Sequence, residues 1–118
     1  MYDAANAPQD ARRRCLVQRW RVDPALALGL ASGIRAGGDR KAFAKAGYTT
    51  IEGGSYRSMW WVFHNPHGAY AARGVHGQTI YIDPTAEMVI VRLASHPAAK
   101  NAVIDPTSLP AYQAVAEY

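Results

Sequence analysis

Few side chains in this sequence could do chemistry, and their spacing rules out more than it allows. His64 and His67 stand three apart, and His76 could face them across a hairpin. The first two straddle a Pro turn, however, and no cysteine or carboxylate sits at ligand spacing, so the pattern does not make a zinc site. No metal and no cofactor is expected. Serine chemistry needs a base within hydrogen-bond reach of the hydroxyl. None of Ser32, Ser55, Ser58, Ser95 or Ser108 is followed by Lys three residues later, and there is no G-x-S-x-G elbow. Tyr56-Arg57-Ser58 has Tyr-x-Ser spacing but opens an apolar run and reads as structure. The sequence offers no nucleophile of its own.

The stretch that stands out is residues 69–82, AYAARGVHGQTIYI, and its centre Ala72-Arg73-Gly74-Val75-His76-Gly77-Gln78. Small and polar residues occupy what reads as the interior of a strand, where branched ones belong. Glycine in such a place marks close approach to the backbone. Alternation along one strand would put Ala72, Gly74, His76 and Gln78 on one face.

The elements around this stretch follow from period and turn chemistry. Pro24 suits a first helical turn, and Ala25 to Arg35 is rich in Ala and Leu. Asp39 reads as the N-cap of a helix over 40–46, with Phe43 and Ala46 inward and Gly47 as its stop. Thr49-Thr50-Ile51 is strand-like. Tyr56 to His64 reads as an aromatic and branched strand, on which Trp60 and Trp61 point to opposite faces. One indole must be core, and Trp61 is a candidate for lining a ligand cleft. Asn65-Pro66-His67-Gly68 fits a type I turn, and Asp83-Pro84-Thr85-Ala86 a second Pro turn. Glu87 to Ala94 is near-continuously apolar, as in a strand covered on both faces. A helix follows Asp105-Pro106, with Tyr112 and Val115 available for docking. Short turns between successive strands imply an antiparallel meander. The fold class is therefore α/β in the broad sense, or α+β: an antiparallel sheet flanked by helices.

A chain of 118 residues with 49% apolar and 19% charged residues is a single globular unit or part of one. It has no apolar run long enough to span a membrane and no signal-peptide pattern. A cytoplasmic location and no membrane partner are expected, and the lone Cys15 fits a reducing compartment. The net charge of +4 sits towards the start of the sequence, where residues 1–50 hold nine Lys or Arg, including Arg12-Arg13-Arg14, against four acids. That cluster lacks aromatic interleaving and reads as solvated charge, so nucleic acid is not the expected partner. Residues 1 to 23 show no clean apolar period and are expected to be frayed, with a helical turn near Cys15 to Trp20.

Taken together, Ser55-Tyr56-Arg57-Ser58-Met59-Trp60-Trp61, Ala71-Ala72-Arg73-Gly74-Val75-His76-Gly77-Gln78 and Tyr81-Ile82-Asp83-Pro84 resemble the C-terminal part of the serine β-lactamase-like hydrolases. The nearest branch is that of the 6-aminohexanoate-dimer hydrolases and class C β-lactamase-related esterases. The resemblance runs from about Gly37 to Tyr118, which divides the sequence into an unmatched Arg-rich 1–36 and a β-lactamase/transpeptidase-like 37–118. It implies a hydrolase of small amides or esters whose site needs Ser-x-x-Lys, a Tyr-x-Asn or Tyr-x-Ser motif, and a Lys/His-x-Gly triad. Only the triad has a counterpart here, Ala72-Arg73-Gly74, with Ala72 replacing the usual polar residue. Val75 would then offer its backbone N–H to an oxyanion beside Gly74. His76 and Gln78, on the same face, either touch substrate with Trp61 or support the strand, and support is the favoured role because nothing requires a base there. The resemblance implies a fragment that is inactive alone. The competing reading is a small basic binding module for nucleic acid or a protein partner. A third reading, from the strand edges and apolar surface that a half-domain leaves uncovered, is a fragment that associates with another chain to complete its sheet.

Overall fold

The computed structural model describes residues 24–118. The Arg12-Arg13-Arg14 cluster and the turn expected near Cys15 lie outside them. Helix α1 (Pro24–Arg35) starts on the proline, and two residues past its end Gly37, with a φ of 74°, reverses the chain. Asp39 then caps α2 (Arg40–Lys45), its carboxylate accepting the N–H of Lys41 at 2.8 Å and of Ala42 at 3.0 Å. Phe43 is buried as its position predicts. Ala46, expected beside it, is exposed, because the helix stops at Lys45 and Ala46 is the cap. Thr49-Thr50-Ile51 forms turns and a bend in place of a strand, although Ile51 is buried.

Three apolar runs become five strands. β1 (Ser55–Arg57), β2 (Trp60–Val62), β3 (Tyr70–Arg73), β4 (Thr79–Asp83) and β5 (Met88–Arg92) form one antiparallel sheet whose order follows the chain. The run 56–64 is cut by a two-residue turn at Ser58 and Met59, with φ of 49° and 70°. Such a turn matches strand twist but is normally signalled by Asn or Gly, and neither is there. The run 69–82 is cut by a 3-10 turn, Val75–Gly77, with His76 at φ 59°. His76 and Gln78 therefore do not continue the line of Ala72 and Gly74. The Asn65 turn is as its chemistry predicts, with Gly68 N–H donating to the Asn65 carbonyl at 2.9 Å.

The register pairs Trp61 with Ala71, Ala71 with Tyr81 and Tyr81 with Ile90, which puts all four on one face. Helix α3 (Asp105–Ala116) covers this face. Ala69, Ala71, Tyr81 and Tyr112 form the buried cluster, backed by Phe63, Met88, Ile90 and Leu109. Both alanines are wholly buried, and their small size makes room for the two tyrosine rings, whose centroids lie 5.3 Å apart. Val115, expected to dock alongside Tyr112, is exposed. On the opposite face α1 lies against β2, where Val62 and Tyr70 are buried. Over β4 and β5 no element among the described residues packs on that face. Exposure alternates along β5, and Val89 and Val91 are 59% and 62% exposed, so among the described residues this strand is covered on one face and not on two.

Candidate functional site

At the end of β3 the chain spends its backbone donors unevenly. Gly74 N–H donates to the Gln78 carbonyl at 2.9 Å, His76 N–H to Ala99 at 3.1 Å, Gly77 N–H to Asn101 Oδ1 at 3.2 Å and Gln78 N–H to Val75 at 3.4 Å. Val75 N–H alone among these five has no partner among the described residues. Val75 is 60% exposed as a residue, and an amide that the fold leaves free is available to a ligand, whereas its neighbours hold the turn in shape. Gly74, with φ −97° and ψ 177°, is extended, and its carbonyl accepts from Asn101 Nδ2 at 2.8 Å. A cleft of about 430 Å³ opens here, lined among others by Tyr56, Met59, Gly74, Gln78, Ile80 and Val91. A Cβ on Gly74 would come no closer than 3.5 Å to any neighbour, so the glycine is a matter of access from the cleft and not of internal crowding.

Of the residues that the sequence suggests for a site, Gly74 and Gln78 line the cleft, and Val75 is next in the chain to Gly74. Trp61 and His76 do neither. Trp61 sits in an aromatic cluster, 5.9 Å from Phe43, 4.9 Å from Tyr48 and 5.1 Å from Tyr56 between ring centroids. His76 donates from Nδ1 to the His96 carbonyl at 2.8 Å, and the His76 carbonyl accepts the His96 N–H at 3.0 Å, tying the turn to the loop that follows β5.

The strand end is fixed from behind by a buried ion pair. Arg73 donates to the Asp105 carboxylate, both side chains being 5% exposed or less. Thr50 Oγ1 donates to the second carboxylate oxygen, and the guanidinium lies 5.4 Å from the Trp61 ring centroid. Burial pulls the Arg73 pKa below its ordinary value, and the charge and hydrogen bond of Asp105 oppose that pull. One side chain thus joins β3, α3 and the loop before β1. Nothing in the sequence signalled this, since Asp105 read only as a helix start.

Two polar pairs also emerge only in three dimensions. Ser55 Oγ lies 2.7 Å from His64 Nε2 and accepts the Gly38 N–H at 3.0 Å. Burial, with the Arg40 charge second, lowers the His64 pKa and favours the neutral ring. The geometry resembles a nucleophile and its base, but Ser55 is wholly buried and the Gly37 backbone packs over it; a Cβ there would stand 2.3 Å from Oγ. No carbonyl can reach that oxygen, so the pair is a clasp. The second pair, His67 Nδ1 to Asp83 Oδ2 at 2.8 Å, joins the two Pro turns, and Asp83 Oδ1 also accepts the N–H groups of Thr85 and Ala86. Among the described residues no three His, Cys, Asp or Glu side chains converge on a point that could hold a metal ion.

Fold and cleft together define an α+β domain that presents a free backbone amide beside a glycine at the end of a central strand. Sequence comparison supplies the relatives. Over 70 residues, 58% of this chain, it is 39% identical to the 6-aminohexanoate-dimer hydrolase of Paenarthrobacter ureafaciens, of which those residues are 18%. A solved structure assigned as the same enzyme, from Bacillus anthracis, is 38% identical, with a TM-score of 0.49, over 55% of this chain and 16% of that one. By the first of these the chain is similar, across more than half its length, to a 6-aminohexanoate-dimer hydrolase, and spans under a fifth of it. No family model matches it.

Proposed function

We propose that this chain is the C-terminal portion of a serine hydrolase that cleaves small amides or esters, and that it supplies the oxyanion donor and one wall of the cleft. The observation that carries the reading is the free N–H of Val75, next to Gly74 at a cleft, in a chain 39% identical over 70 residues to an amide hydrolase. A serine from elsewhere in the enzyme attacks the substrate carbonyl, and negative charge builds on its oxygen. A fixed amide that donates to that oxygen stabilises charge present only in the transition state. Gly74 lets substrate lie against the strand end, and Gln78 offers an amide side chain to it. Trp61 and His76 act through the strand, one packing beneath Arg73 and the other holding the turn. The isolated chain is expected to be inactive.

Proline at position 75 gives a direct test. It deletes the N–H yet suits the first position of a 3-10 turn, and Gly74 already has the extended conformation a residue before proline requires. The matched stretch of the Paenarthrobacter enzyme is replaced by that of this chain, and amide hydrolysis by the chimera is measured. Val75→Pro is expected to lower kcat by about 100- to 1,000-fold and Val75→Ala to leave it near wild type. A folded Val75→Pro chimera with undiminished kcat would refute the role.

A further inference from the structure

The Val75 N–H belongs to the same rigid, trans peptide unit as the Gly74 carbonyl, and the two point in opposite directions within one plane. Where the carbonyl is held therefore decides where the N–H points. Gly74 does not fix that plane alone, because a residue without a Cβ leaves its ψ loosely held. The amide end of the unit has no partner among the described residues, so the hold must come at the carbonyl end. One side chain supplies it. Asn101 Nδ2 donates to the Gly74 carbonyl at 2.8 Å, and Asn101 Oδ1 accepts the Gly77 N–H at 3.2 Å. Turned over, the side-chain amide would set donor against donor and acceptor against acceptor, so the two bonds fix each other. Asn101 is in turn fixed by its own backbone. It opens a 3-10 turn (Asn101–Val103), and its carbonyl accepts the Ile104 N–H at 2.9 Å. Asp105, which follows, pairs with Arg73. Residues 101 and 105 thus grip positions 73, 74 and 77 and leave the amide between them unbonded.

We infer that Asn101 is a positioning residue for the oxyanion donor: its side-chain amide holds the Gly74–Val75 peptide in the plane that presents the Val75 N–H. The inference rests on the proposed function. The same bond also acts electronically, since a hydrogen bond accepted at the carbonyl of a peptide polarises it and strengthens donation from its N–H. Asn101 has no need to touch substrate. Its loss leaves the ground-state contacts of substrate with the cleft wall in place and weakens only a bond that charge on the substrate oxygen calls upon. The loss therefore falls on kcat and spares KM.

Two variants test this. Asn101→Asp keeps an oxygen for the Gly77 N–H and removes the donor to Gly74, whereas Asn101→Ala removes both; if the alanine variant fails to fold, the aspartate variant decides. In the full chain, NMR is expected to show the Gly74 carbonyl carbon and Val75 amide nitrogen resonances moving upfield in each. In the chimera, with the graft carried through Tyr118 so that it includes Asn101, kcat is expected to fall about 10- to 100-fold with KM within about twofold. In the Val75→Pro background neither variant is expected to cost anything further, because no N–H remains to be placed. A residue that merely braces the loop would cost the same in both backgrounds or raise KM. Unmoved resonances, an undiminished kcat in Asn101→Asp, or an equal loss in both backgrounds would each overturn the inference. If Val75→Pro itself keeps full kcat, the oxyanion role is wrong and Asn101 falls with it. If Val75→Pro is impaired and Asn101→Asp is not, the oxyanion role stands and only the part given to Asn101 fails.

Discussion

Replacing Asp105 by Asn probes the buried ion pair behind the site. The amide keeps the shape of the carboxylate and can still accept from Thr50 Oγ1, so packing is preserved while the charge is removed. What remains is the Arg73 guanidinium, 5% exposed, with its one carboxylate partner gone. Removing one member of a buried pair strands the other charge in a poorly solvated place and costs about 3–5 kcal/mol. A domain of this size is stable by only about 5–15 kcal/mol, so the loss is a large share of the total. With a urea m-value of about 1–3 kcal/mol/M, the unfolding midpoint falls by at least about 1 M. The double variant Arg73→Met/Asp105→Leu, which removes both charges, is expected to recover most of that loss. A single variant costing under about 1 kcal/mol, or a double variant no better than the single, would refute the argument that desolvated charge dominates here.

His64 gives the stability a pH dependence of defined sign. Its folded pKa lies below the ordinary 6.5, so its contribution is complete above that value and is lost as pH falls through the folded one. Thermal unfolding followed from pH 7.5 down to pH 5 should show a falling Tm, with a shallower slope in His64→Gln. Tyr112 carries a buried hydroxyl with no hydrogen-bond partner among the described residues. Tyr112→Phe deletes a desolvated group while keeping the ring, and is expected to be neutral or stabilising by up to about 1 kcal/mol in chemical denaturation.

What the sequence made legible was whatever a single residue can announce. Asp39 caps its helix, Gly47 ends it, and the two Pro turns fall where Asn65 and Asp83 place them, because each of these acts through local backbone chemistry. The two hairpins hidden inside apolar runs were illegible, since Ser58, Met59 and His76 adopt positive φ without being Gly or Asn. Tertiary pairing imposes those turns, and no local signal records it. For the same reason β5 read as buried on both faces. Its composition is that of a covered strand, and only the structure shows that nothing among residues 24–118 covers Val89 and Val91. At the candidate site, Gly74 and Gln78 could be picked out because small and polar residues are out of place in an apolar run. Arg73, Asp105 and Thr50 could not, because their partnership spans 32 and 55 residues of chain.

The order of the strands has a bearing on how the molecule forms. Every strand pairs with its immediate predecessor, and the connections are turns of a few residues. Closing each hairpin therefore costs little chain entropy, and the sheet can grow one strand at a time from either end. A parallel sheet of equal size would need long crossovers before any pairing was rewarded. All the pairings of this meander therefore lie within one continuous stretch, residues 55–92, and none waits on a distant part of the chain.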